Sequence, residues 1–193
     1  MKRQLTKPPK LHRNLDACLE RNHRTVNIAF MSKTGEMTMS TLTPVTNGFQ
    51  VTGARRVIAN LLLSPVNGKA TIVAKFKKAA ASGVGHSMTA ALTRDIGGFT
   101  SLAISSPTMA NLDIDLGLFP GRQVSYNVKD GLVWRTLTFW VTTADTYGTN
   151  EVWHLDLAVA EPAPDGVTDY DIRATATTPT TAQVTSVDVT PAT

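Results

Sequence analysis

Four histidines, one cysteine and a few clustered carboxylates are the residues with which this chain could do chemistry, so their spacing comes first. His12, His23, His86 and His154 are scattered, with no His-x-x-x-His pair. Together with the single Cys18 they do not make the ligand set of a structural zinc. His86 adjoins Ser87, but neighbouring residues on a strand point to opposite faces, and no Gly-x-Ser-x-Gly elbow is present. The stretch SGVGHS at 82–87 lacks the lysine of a phosphate loop and the third glycine of a dinucleotide fingerprint. Asp113 and Asp115 in NLDIDLG share one face of a strand. Two carboxylates can contribute to a calcium site but do not make one, and a solvated outer face is the simpler account. The residues therefore predict a protein that is not an enzyme and needs no metal or cofactor.

The basic residues carry more information. Residues 1–24 hold Lys2, Arg3, Lys7, Lys10, Arg13, Arg21 and Arg24 against only Asp16 and Glu20. At the other end, residues 136–193 hold Arg173 against eight acids. Blocks of like charge are solvated interaction segments, and a basic arm fits a polyanion, with RNA the leading candidate. A second cluster lies in VAKFKKAAASG, where strand alternation puts Lys75 and Lys77 on one face and Lys78 just past the strand's end. Arg55 and Arg56 precede another strand. These residues are expected to line a nucleic-acid-facing surface together with the arm.

The elements that would position them are strands. Between residues 25 and 160 the chain reads as TVNIAFMS, EMTMSTLT, GFQVTG, RRVIANLLLS, KATIVAKFKK, SMTAALTR, FTSLAIS, ANLDIDLGL, RQVSYNV, LVWRTLTFWVTT and EVWHLDLAVA. Turn residues such as Asn47-Gly48, Asn67-Gly68, Gly97-Gly98, Pro120-Gly121 and Asp130-Gly131 separate them. Short strands at near-regular spacing, with no long helical pattern between them, indicate an antiparallel sandwich or barrel. The last two runs form a hairpin that holds all three tryptophans, Trp134, Trp140 and Trp153, and core packing is the expected use of each.

Organisation follows from composition. The chain of 193 residues fits one domain, and 42% hydrophobic with 18% charged residues is the balance of a soluble globular protein. No run reaches the roughly 20 apolar residues of a membrane helix, and no apolar segment follows the basic N-terminus as in a signal peptide. A cytosol-like compartment and no membrane partner are expected. Pro8 and Pro9 keep the start of the arm extended. Leu11, Leu15, Cys18 and Leu19 then fall at the spacing of a short helix. From Glu161-Pro162-Ala163-Pro164 onward a Thr, Ala and Val-rich tail begins. Within it VTDYDIRATAT and TAQVTSVDVT can add strands, the second limited to an edge. The expected division is arm 1–24, β-domain 25–162 and tail 163–193.

A basic arm, an all-β domain without catalytic groups and a proline-marked tail together resemble the jelly-roll coat proteins of small positive-strand RNA plant viruses. LVWRTLTFWVTT, ADTYGTN and EVWHLDLAVAEP resemble that family's last two strands and their turn. The resemblance covers residues 1–162 and is one of pattern. It implies an antiparallel jelly-roll β-sandwich whose arm contains a short helix. It also implies a capsid protein that self-assembles into a shell and binds single-stranded RNA, located in the virion and, during assembly, in the host cytoplasm. The arm has no unbroken arginine run, so RNA binding is expected to be shared with the lysine-bearing domain surface. A phage-type tail or decoration protein, a viral movement protein and a carbohydrate-binding sandwich are the competing readings.

Overall fold

A computed structural model describes residues 25–31, 37–65, 67–78, 87–95, 98–107, 109–130, 133–159 and 168–191. The arm 1–24, with its expected helix, Cys18, His12 and His23, lies outside the described residues, as does His86. Twelve strands make up the described chain: β1 (Val26–Met31), β2 (Met37–Val45), β3 (Gly48–Ser64), β4 (Ala70–Lys78), β5 (Ser87–Arg94) and β6 (Thr100–Ser106), then β7 (Met109–Asp115), β8 (Gln123–Asp130), β9 (Val133–Thr143), β10 (Glu151–Val159), β11 (Thr168–Ala176) and β12 (Thr181–Pro191). No helix of the described residues is long and apolar enough to cross a membrane.

All strand pairs are antiparallel, and the order is β7-β6-β5-β4-β11-β3-β10-β9-β8, with β1-β2 and β12 joined to β3 off this path. The long strand β3 organises this arrangement. Its first part, from Gly48 to Ala54, pairs with β2 and β11, and its second, from Ala54 to Ser64, pairs with β10 and β12. Buried positions run Phe49, Val51, Ala54, Val57, Ala59, Leu61 and Leu63, so strict alternation breaks twice in mid-strand. Gly53 sits at that break with φ of 71°, a left-handed conformation that side-chain-bearing residues resist. The sheet curls there, and its two wings face each other. Arg94 of β5 reaches Glu151 of β10 at 3.1 Å, and the Arg135 guanidinium of β9 lies 5.3 Å from the Phe76 ring centre of β4. Ile72, Phe76, Met88, Leu102 and Ile104 from one wing and Leu61, Leu137, Phe139, Trp153 and Leu155 from the other are all buried between them.

Two expectations change. Residues 163–193, read as a tail beyond the domain, hold two strands of it. β11 lies inside the sheet between β4 and β3, with Thr168, Tyr170, Ile172 and Ala174 buried, while β12 pairs only with β3. The tryptophans also part company. Trp153 is buried at 2% exposure, but Trp134 and Trp140 belong to the outward set of β9, because Arg135, Leu137, Phe139 and Val141 point inward. Arg135 is buried, and its Nη1 donates to Thr168 Oγ1 at 3.2 Å.

Candidate nucleic-acid interface

Register decides which of the basic residues meet. Across the outer face of one wing, Thr89, Lys75, Asp171, Gln50 and Thr43 stand in one row over β5, β4, β11, β3 and β2. Lys77 stands opposite Asp169, and Lys78 opposite Thr168, which in turn stands opposite Ala54. Lys78 is therefore two strand spacings, about 10 Å, from the backbone that carries Arg55 and Arg56. The strand of lysines and the pair of arginines, far apart in sequence, are brought to one end of the sheet.

The arm's root joins the same sheet. Val26 pairs with Leu42, Leu42 with Val51, Val51 with Tyr170 and Tyr170 with Phe76, one position along from Lys75. Residue 25, where the described chain begins, touches Thr43 through the two hydroxyls at 3.4 Å. Four strand spacings, about 19 Å, separate this root from the lysine strand. Twenty-four residues have a maximum reach of roughly 80 Å, several times this distance.

Acids temper the charge. Opposite-charge residues directly across an antiparallel pair stabilise each other modestly, and Lys75 faces Asp171 in this way. Burial alone would push the Asp171 carboxyl up. Hydrogen bonds from Arg173 and Gln50 and the nearby charges of Arg173 and Lys75 outweigh it and hold the group below its ordinary value. Asp169 accepts the Gly53 amide at 3.1 Å, which ties the acid to the bend of β3. Arg56 grips Asp156 through two nitrogens, Nε at 2.8 Å from Oδ1. Arg55 makes no side-chain hydrogen bond or ion pair among the described residues. It opens onto a groove of about 410 Å³ that Arg56, Thr136, Asp156, Ala158, Val159 and Thr190 also line. Lys75 lies on the outer face of one wing and Arg56 on that of the other, each beside a carboxylate. Phosphates would compete for Lys75 with the carboxylate across from it, which suits weak, sequence-independent contact with a flexible polyanion.

The remaining candidates fall elsewhere. Asp113 and Asp115 sit on the outer strand β7, both exposed, and among the described residues no three His, Cys, Asp or Glu gather as metal ligands. His154 has a role that its position in the sequence does not announce. On the outer face of the other wing, Thr142, His154, Asn60 and Ser186 form a hydrogen-bonded chain across β9, β10, β3 and β12, with steps of 2.8, 2.6 and 2.6 Å. The Asn60 amide donates to Ser186 Oγ, so its oxygen faces His154 Nδ1, which must donate; Nε2 then accepts the Thr142 hydroxyl. Trp140 stacks on the imidazole at 4.8 Å with planes 3° apart. Burial lowers the His154 pKa, consistent with the neutral ring that this pattern requires. The chain links four strands across the sheet. Only strand pairing reveals it, because the four residues share no local motif. No protein-family model, curated protein or solved structure matches the chain.

Proposed function

We propose that this protein is a structural subunit: a capsid protein of a small positive-strand RNA plant virus that self-assembles into a shell and packages single-stranded RNA. The basic arm, through Lys2, Arg3, Lys7, Lys10, Arg13, Arg21 and Arg24, supplies most of the charge, and Lys75, Lys77 and Lys78 extend it on the domain. One observation carries this reading. The strand that follows the arm lies in the same sheet as the strand of Lys75, and the backbone of Arg55 and Arg56 lies near the far end of that strand, which supports a contact shared between arm and domain. The location that follows is the virion, and the host cytoplasm during assembly.

The jelly-roll form of the domain belongs to this proposal in its layer sense, two facing sets of antiparallel strands. The wiring within each layer is closer to a meander, since β4-β5-β6-β7 and β8-β9-β10 pair neighbours in sequence. A carbohydrate-binding reading needs exposed aromatics in one plane, whereas Trp140 is covered by His154 on one face and Trp134 stands alone beside Lys129. Negative-stain microscopy of the purified full chain with single-stranded RNA, combined with a nuclease-protection assay, tests the proposal. Closed particles that shield the RNA are expected. Free monomer and fully digested RNA at all protein concentrations would overturn it.

A further inference from the structure

The bend of β3 places two cations together. Between Ala54 and Val57, both at 0% exposure, stand Arg55 and Arg56, neighbours that both avoid the core. Strict alternation would send one of the two inward. The break in parity instead brings both to the wall of the groove of about 410 Å³. That volume falls within the range of small-molecule sites and exceeds what a single inorganic anion fills.

The two arginines are held differently. Tyr170, itself 2% exposed, donates its hydroxyl to the Arg55 carbonyl at 3.2 Å and so fixes the backbone at the bend. The half-buried Arg55 side chain makes no hydrogen bond or ion pair among the described residues. Arg56 is seated on Asp156 through Nε and Nη2, and its Nη1 group takes no part in that pair. Register sets Ala158 on one side of Arg56 and Thr190 on the other. Thr136, also in the wall, donates its hydroxyl to Asn127 at 2.9 Å, whereas Thr190 makes no side-chain hydrogen bond among the described residues.

Charge and shape select the ligand. Two guanidinium groups against one carboxylate leave the groove with a single positive charge. The other acids nearby are placed elsewhere: Asp169 accepts the Gly53 amide, and Asp188 stands opposite Ile58 and is not part of the wall. One guanidinium satisfies both oxygens of a carboxylate, but a phosphate has oxygens left for the second arginine. Beside the arginines, Ala158 and Val159 offer an apolar strip on which a sugar can lie. No aromatic ring lines the groove, so a base would find nothing to stack on.

We infer that this groove seats one nucleotide of a single strand, its phosphate on Arg55 and Arg56, its sugar against Ala158 and Val159, and its base unread. The inference rests on the RNA reading above and adds one fixed contact to the diffuse ones. Titration of the full chain at constant ionic strength with uridine 5′-monophosphate, uridine, inorganic phosphate and a short oligouridylate, followed by calorimetry and by nuclear magnetic resonance, tests it. The monophosphate should bind and uridine should not. Arg55→Gln should weaken the monophosphate by about tenfold or more, and Arg55→Lys, which keeps the charge and loses the fork, should fall between. Arg122→Gln, outside the groove, should change nothing. The thermal midpoint of Arg55→Gln should stay near wild type, because its side chain has no partner to lose. A folded Arg55→Gln variant that binds the monophosphate as wild type does would overturn the inference and leave the arm's RNA contact standing. So would a wild type that binds oligouridylate but not the monophosphate. Inorganic phosphate binding as tightly as the monophosphate would show an anion seat with no use for the sugar, and would overturn the nucleotide assignment. A wild type that binds neither the monophosphate nor oligouridylate would overturn this inference and the RNA reading together.

Discussion

Replacing each tryptophan by alanine separates core from surface on the hairpin that carries all three. Trp153 is 2% exposed, and its Nε1 donates to Glu151 Oε2 at 3.0 Å, the same oxygen that Arg94 Nε reaches at 3.1 Å. Trp153→Ala removes the largest buried side chain of the core and leaves a cavity between the wings, at a cost of about 3–5 kcal/mol. Loss of the indole N–H adds roughly 1 kcal/mol, because Glu151 keeps Arg94. Trp134, 37% exposed beside Lys129, loses only partial contact, and about 0.5 kcal/mol is expected. Trp140→Ala removes the stack that covers His154 and falls between the two, at about 1–2 kcal/mol. For a domain of this size about 1 kcal/mol moves the thermal midpoint by roughly 2–4 °C. Differential scanning calorimetry should therefore show a fall of about 8–24 °C for Trp153→Ala and of about 2 °C or less for Trp134→Ala. Trp153→Phe, which keeps most of the volume and loses the hydrogen bond, should fall between them. Equal shifts for all three alanine variants, or a Trp153→Ala midpoint within about 2 °C of wild type, would refute the inward and outward assignment of these strands.

His154 gives a pH test with a definite sign. Burial lowers its folded pKa below the ordinary 6.5, so the unfolded chain binds the proton more readily; stability is fully present above pH 6.5 and is lost as pH falls below it. Urea titrations at pH 7.5 and 5.5 should show a smaller loss for His154→Gln than for wild type, and identical losses would discard the assignment. Deleting residues 1–24 should flatten the salt dependence of single-stranded RNA binding, which for all seven basic residues is a slope of roughly −5 in log affinity against log salt, while far-ultraviolet dichroism still reports a β-protein. If the truncated chain keeps its affinity and slope, the arm is not the binding element and Lys75, Lys77 and Lys78 become the surface to test. Gly48→Ala should prevent folding or lower the midpoint severely, because a Cβ there would lie 1.9 Å from the Ile172 carbonyl oxygen, whereas Gly98→Ala, with open space around it, should cost only about 1–2 kcal/mol for its φ of 86°.

The β9–β10 hairpin was legible because its signal is local. Alternation in VWRTLTFWVTT and EVWHLDLAV assigns both faces without any partner strand. The alternation did not say which face of β9 is the inner one. Arg135 sits among Leu137, Phe139 and Val141, and an arginine in that set made the tryptophan face look equally suited to the core. The long β3 reads as two strands because Gly53 and the break in burial parity mimic a turn. They bend the strand instead, and its two parts then serve different neighbours. β11 looked peripheral for a different reason. Its inward residues are Thr168, Tyr170, Ile172 and Ala174, and its outward ones are Asp169, Asp171 and Arg173. That charge is accommodated on the outer face by Arg173 and Gln50, which hold Asp171, by the Gly53 amide, which holds Asp169, and by Lys75 standing opposite on β4. That pairing, like the chain from Thr142 to Ser186, depends on register between residues more than eighty positions apart, and no window of sequence contains it.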